Sequence, residues 1–239
     1  MALPLYLAMT AWETQYCPMP ERMAYMACHF SSYGAGLGNF PEQLPVCSML
    51  ILNDRIPVWN HDPELIALQL QQTVEAFSCE SVLLDFQRQG EGRTAAIVKA
   101  AAEALGCPVG VSQWYAQGLS CPVFFSLPAP NRDLSKELAL WQGREVWLEA
   151  ALETVQITVT REDSTTVPIP FEIPSPPCHV DETLCCRYHT AVGEDRAVFT
   201  ISRTAEDLNA LLRKAEALGV TRAIGLYQQL FPKNETPQT

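Results

Sequence analysis

Short apolar runs of strand length alternate with longer amphipathic stretches over the first two-thirds of the 239-residue chain. The runs are Leu5–Thr10, Met23–Phe30, Ser48–Asn53, Ser81–Phe86, Val109–Gln113, Val123–Leu127 and Glu145–Ala150. They are nearly continuous in hydrophobicity, which predicts strands covered on both faces, as in parallel sheets. Between some of them lie clear helices. Pro63–Phe77 has Asp62 as its N-cap and Pro63 at the first helical position, and Leu65, Leu68, Leu70 and Val74 suit one buried face. Gly92–Leu105 is Ala-rich and is expected to stop at Gly106 before Pro108, and Asp133–Trp141 to end at Gly143.

The rhythm breaks at Thr154. Thr154–Thr160 alternates with period two, Arg161–Ser164 makes a turn, and Thr165–Ile173 returns as a strand interrupted by Pro168 and Pro170. Pro174, Pro176 and Pro177 follow, so this reads as an edge strand running into a loop. A second hairpin pairs Leu184–Thr190 with Arg196–Ser202 across a turn at Val192–Asp195. The first rhythm then resumes with a helix capped by Thr204 and Asp207, with Leu208, Leu211, Leu212, Ala215 and Leu218 as its stripe, ending at Gly219. Ala223–Tyr227 is an eighth strand. The expectation is an α/β fold, a (β/α)8 TIM barrel formed by residues 1–153 and 203–232, with a β-rich antiparallel insertion at 154–202 and a flexible tail at 233–239.

Net charge is −11, from 27 acids and 16 bases, which argues against a protein that tracks nucleic-acid phosphates. No run approaches the roughly 20 apolar residues of a membrane span. The N-terminus has neither a basic segment nor a small-residue cleavage site, so the expected location is cytoplasmic. The nine cysteines lack CxxC spacing and the four histidines lack ligand spacing, so neither a metal nor another cofactor is expected. The thiols read as small buried hydrophobes.

The fourth barrel strand, Ser81–Gln87, ends Leu83-Leu84-Asp85-Phe86-Gln87. Its close is similar to the Asp-hydrophobe-Asp-aromatic-Glu signature of the family 18 glycoside hydrolases, the chitinase-like barrels. The β-rich insertion after strand 7, the last helix and strand through Leu208–Tyr227, and the order of the early strands resemble the same family. That resemblance implies a barrel of glycosidase type with a carbohydrate cleft. In such enzymes a Glu protonates the glycosidic oxygen and the Asp two residues earlier supports the substrate's N-acetyl group. Asp85 matches that Asp, Gln87 stands at the acid position, and Leu83 replaces the preceding Asp. An amide cannot act as the acid, and losing a general acid costs roughly 10²–10⁴ in rate. Tyr227 falls near the family's sugar-stacking Trp of strand 8.

A second arrangement comes from strand alternation, which puts Asp85 with Gln87 on one face and Trp147 with Glu149 on another. If both faces point to the barrel axis, Asp85 and Glu149 form a carboxylate pair from strands 4 and 7. About 5–5.5 Å between them would suit a retaining glycosidase. Trp12, Glu13, His29, Ser31, Asn53, Asp54, Gln113, Trp114, Tyr115 and Ser126 also sit near strand ends, where aromatics beside amides and acids suit a saccharide or similar small polar ligand. Tyr33–Asn39 carries Gly34, Gly36 and Gly38 without the dinucleotide-loop spacing, and reads as a flexible loop able to act as a lid. Three functions stay open: a catalytically degenerate saccharide-binding barrel, an active glycosidase using Asp85 and Glu149, or an enzyme of another class on the same fold.

Overall fold

The computed structural model describes residues 3–45, 48–56, 61–88, 92–173 and 177–231. In chain order the strands are β1 (Leu5–Met9), β2 (Met23–Phe30), β3 (Leu37–Gly38), β4 (Met49–Asn53), β5 (Ser81–Asp85), β6 (Val109–Ser112) and β7 (Val123–Phe125). They continue with β8 (Val146–Ala150), β9 (Glu153–Thr160), β10 (Ser164–Ile169), β11 (His179–Asp181), β12 (Cys186–Val192), β13 (Arg196–Arg203) and β14 (Val220–Leu226). The α-helices are α1 (Ala11–Tyr16), α2 (Pro63–Phe77), α3 (Gly92–Ala104), α4 (Leu134–Leu138), α5 (Ala205–Ala217) and α6 (Tyr227–Leu230).

Eight of these strands are parallel and close on themselves in the order β1, β14, β8, β7, β6, β5, β4, β2. β1 completes the ring by pairing with β14 through Leu5↔Ala223 and with β2 through Leu7↔Met23. Each of the eight apolar runs of the sequence supplies one barrel strand. Two apolar shells lie outside them. One packs α2 and α3 on β2 and β4–β6, and the other packs α5 on β8 and β14.

The helices form for the expected reasons, with local differences. Asp62 caps α2 by accepting from Glu64 N, but the face turned inward is Ile66, Ala67, Leu70 and Thr73, while Leu68 is 49% exposed. Leu218 is exposed as well, because α5 has already ended one residue earlier. Gly143 and Gly219 take the left-handed φ of 82° and 91° that favours glycine, whereas Gly106 does not, so α3 ends without a glycine cap. Tyr33–Asn39 is not simply a loop: Leu37–Gly38 pairs antiparallel with β2, and Leu37 N donates to Gln69 Oε1 at 2.8 Å. Neither β3 nor the six-residue α1 was expected from periodicity, since both are shorter than a pattern can show.

The block after β8 is a five-stranded antiparallel sheet, ordered β10-β9-β13-β12-β11. Pro168 lies in β10, an edge strand, where its missing N–H faces no neighbour. The other edge, β11, is three residues long and was not expected. At the base of the sheet Arg203 pairs in register with Glu153, fully buried, its Nη1 3.6 Å from Glu153 Oε2 and donating to Pro128 O at 3.2 Å. Pro174, Pro176, Cys47 and the tail 233–239 lie outside the described residues.

Inside the barrel, alternate residues of the strands form an apolar filling of Tyr6, Ala8, Ala24, Met49, Ile51, Leu83, Phe124, Trp147 and Ile224. Trp147 is its largest member and is fully buried. Its Nε1 donates to Glu145 Oε1 at 2.9 Å, and the Arg222 guanidinium lies 4.7 Å from its ring centroid. Arg222 Nη1 in turn donates to Ser81 Oγ at 2.8 Å, and the Tyr6 hydroxyl donates to Glu80. These groups sit at the strand starts and plug the N-terminal end of the barrel. Room for the indole exists because position 110 is Gly, where a Cβ would come within 2.3 Å of Trp147 Cε3. Gly110→Ala is therefore expected to destabilise the fold by about 1–3 kcal/mol, as overpacking does, measured as a lower urea midpoint with an unchanged denaturant slope.

Candidate functional site

Above this filling the barrel opens into a cavity of about 980 Å³ at the C-terminal strand ends. Its floor is the upper part of the apolar interior, Ile51, Leu83, Phe124 and Ile224. Alternation along the strands sets what stands on that floor. β5 turns Leu83 inward, then Asp85, and two residues on Gln87 also reaches the cavity. Asn53 of β4 is the register partner of Asp85, and His29 of β2 is the partner of Asn53. Across the barrel β8 presents Glu149, paired with Ile224 of β14.

Hydrogen bonds fix these groups. Gln87 Nε2 donates to Asp85 Oδ1 at 2.5 Å, and Trp114 Nε1 donates to Gln87 Oε1 at 3.3 Å. Leu127 N donates to Glu149 Oε2 at 3.2 Å. Asp54 is buried and accepts from the backbone N–H groups of Gln87 and Arg88 at 3.1 and 2.8 Å. Asp54 therefore clamps the turn after β5, and Asp85 is left to face the cavity.

Burial pushes the Asp85 carboxyl above the ordinary carboxylate range, against the lowering effect of the Gln87 hydrogen bond, with Asp54 adding a smaller upward push. Burial also raises Glu149, opposed by the Leu127 N–H, and the charge of Asp85 raises it further. The two carboxyls thus share one field. Just below the insertion, burial pushes Glu153 up to about 7 despite the Arg203 guanidinium.

Of the residues expected from sequence to form a site, Asp85, Glu149, Gln87, Trp12, His29, Asn53 and Asp54 line one cavity. Eight others do not line it, Ser31 and Trp114 among them. Trp147 does face inward, but one layer too low, in the packed interior. Glu13 is buried as the N3 residue of a capping box, accepting from Thr10 N at 2.7 Å, so it holds α1. Tyr227 opens α6 and stacks on Phe231 at 5.7 Å, while Leu226 and Gln229 reach the cavity instead. Tyr115 packs edge-on against Phe86, with its hydroxyl donating to Arg88 O. Gln113 N continues the ladder to Phe124 O, and neither its side chain nor Ser126 lines the cavity.

Sequence reasoning missed Arg55, Arg88 and Gln229, all of which line the cavity. Arg55 and Arg88 follow β4 and β5 by two and three residues, the same position after a strand end that pointed to the others. Among the described residues no group of three His, Cys, Asp or Glu side chains is placed to hold a metal. No helix among them is long and apolar enough to cross a membrane. The eight described cysteines are free thiols, and burial pushes Cys28 and Cys186 up to about 12.

No protein-family model and no curated protein matches the chain. Solved structures do match. A family 18 N-acetylglucosaminidase from Paenibacillus barengoltzii superposes with a TM-score of 0.60 at 8% identity, covering 95% of this chain and 97% of that one. The spore cortex-lytic enzyme SleL of Bacillus cereus gives 0.56 at 11% identity, covering 93% and 70%. A family 18 chitinase from Cycas revoluta, in a variant with one Gly→Trp and one Glu→Gln exchange and in complex with (GlcNAc)4, gives 0.54 at 12% identity, covering 94% of each chain. The chain has the barrel fold of the family 18 glycoside hydrolases. At these identities the likeness is one of fold.

A carboxyl whose folded pKa is raised stabilises the fold below its unfolded pKa, and that contribution is lost as pH rises through the folded value. At neutral pH the desolvated Asp85 and Glu149 charges therefore oppose folding. Asp85→Asn keeps the oxygen that Gln87 bonds and removes the charge. Its expected effect is a melting temperature above wild type at pH 7, with the gain shrinking as pH falls through the raised carboxyl's range and gone below about 4, measured by thermal unfolding across pH.

Proposed function

We propose that the protein is a saccharide-binding barrel of glycoside-hydrolase type in which the family's proton-donating acid has been replaced. The observation that carries this reading is the bond from Gln87 Nε2 to Asp85 Oδ1, placed in a cavity at the C-terminal strand ends. An amide in that place orients Asp85 as a donor but supplies no acidic proton. The cavity otherwise suits a sugar, with Trp12 half exposed on its wall and Asn53, Gln87, His29 and Gln229 as uncharged or weakly basic polar groups. The Cycas revoluta variant with a Glu→Gln exchange was crystallised with a tetrasaccharide, so a barrel of this fold carrying such an exchange holds a sugar.

A second reading rests on a separate observation, that Asp85 of β5 and Glu149 of β8 both line the same cavity. Two carboxyls so placed could serve as the acid and nucleophile of a retaining glycosidase. The two readings part on hydrolysis. The expected result is binding of N-acetylglucosamine oligomers by calorimetry, with turnover of p-nitrophenyl glycosides no faster than a Glu149→Gln control. Turnover by wild type that falls by about 10²-fold or more in both Asp85→Asn and Glu149→Gln would establish the glycosidase instead. Failure of wild type to bind any saccharide would overturn both.

A further inference from the structure

The acids and the bases of the cavity are treated differently by the fold. Each of its three carboxylates already has a donor: Asp85 has the Gln87 amide, Glu149 the Leu127 N–H, and Asp54 the N–H groups of Gln87 and Arg88. Its two arginines, Arg55 and Arg88, are exposed and form no ion pair among the described residues.

The two arginines are also held in place. Arg55 N donates to Asn53 Oδ1 at 3.1 Å. Arg88 is anchored at its N–H by Asp54 and at its carbonyl by the Tyr115 hydroxyl. Arg88 Nη2 donates to the carbonyl of Arg55 at 3.1 Å, so the two residues abut and one guanidinium edge is spoken for. A guanidinium has five N–H donors in a planar fork, which matches the two oxygens of a carboxylate. Unpaired forks carried on an anchored backbone at the wall of a cavity lack an acid that the ligand can bring. We infer that Arg55 and Arg88 make this cavity selective for saccharides that carry a carboxylate. The inference rests on the saccharide reading above and names the class of sugar.

The test uses the full chain and calorimetry at about 50 mM salt with three probes. N,N′-diacetylchitobiose is neutral. N-acetylglucosaminyl-N-acetylmuramic acid adds a lactyl carboxylate to the same disaccharide frame, and a hyaluronan tetrasaccharide carries carboxylates directly on its sugar rings. At least one acidic probe is expected to bind about tenfold more tightly than chitobiose. That advantage should shrink at about 500 mM salt. It should vanish in Arg55→Ala/Arg88→Ala, in which the acidic probes are expected to bind no more tightly than chitobiose. Arg55→Lys/Arg88→Lys, with charge but no fork, should retain only part of it. Chitobiose binding as tightly as both acidic probes, or a preference that survives the double Ala variant, would overturn the inference and leave the saccharide reading standing. Binding of none of the three would overturn both.

Discussion

The pairing of β1 with both β14 and β2 is the contact on which the rest of the structure depends. It joins the first strand of the chain to the last, across the whole antiparallel insertion, and so removes every free edge of the parallel sheet. Once the ring is shut, every strand has an inner face, and the polar residues at eight strand ends must converge. Closure alone does not make a cavity, since a barrel of this size can be filled to the top. Depth is set by Trp147, which occupies the lower interior against Gly110 and is held from beneath by Glu145 and Arg222. The filling stops at Ile51, Leu83, Phe124 and Ile224, and the open space begins there.

That floor explains the electrostatics above it. Asp85 and Glu149 stand on aliphatic and aromatic side chains, each accepting one hydrogen bond among the described residues, so burial outweighs their donors and both carboxyls are raised. Groups that would be more stable as amides are the usual mark of a site kept for a ligand rather than for the fold. The same influence reaches the insertion. Glu153 begins β9 and faces Arg203 at the end of β13, while Glu149 pushes its pKa further upward. The base of the added sheet is therefore in electrostatic contact with the cleft, although the sheet's own small core of Val155, Cys186 and Ile201 lies apart.

The barrel was legible because its strands are apolar on both faces and α2 and α5 carry side-chain N-caps, and both signals are local. The insertion was legible because Thr154–Thr160 switches to period two. Short pieces were less so: β3 is held by Gln69, 32 residues away, and α1 is too short for periodicity, its one local mark being the Thr10–Glu13 capping box. The candidate site was half legible. Alternation assigned Trp147 and Glu149 to one face, but a face is not a layer, and register with β14 decides that one packs and the other is open. Tyr227 and Glu13 missed the cavity for a related reason, since each opens or caps a short helix that turns its side chain away. Arg55 and Arg88 lie just past strand ends, and what they can bind depends on which acids are already occupied, a property of the folded contacts alone.

Position 87 fixes the geometry beside Asp85. Gln87 both donates to Asp85 and accepts from Trp114, a pair of bonds that a neutral amide makes in one fixed orientation. A Glu there could bond Asp85 only while one of the two carboxyls is protonated, because two carboxylates at that separation repel in a desolvated setting. It would then add a third raised carboxyl to Asp85 and Glu149 above the same apolar floor. The amide removes that titration and leaves Asp85 oriented at every pH. On the proposed reading, a cleft freed from holding a transferable proton is selected for the ground state of its ligand. Its specificity then rests on groups that bind and do not react, which is where unpaired guanidinium forks and an exposed indole have their greatest effect.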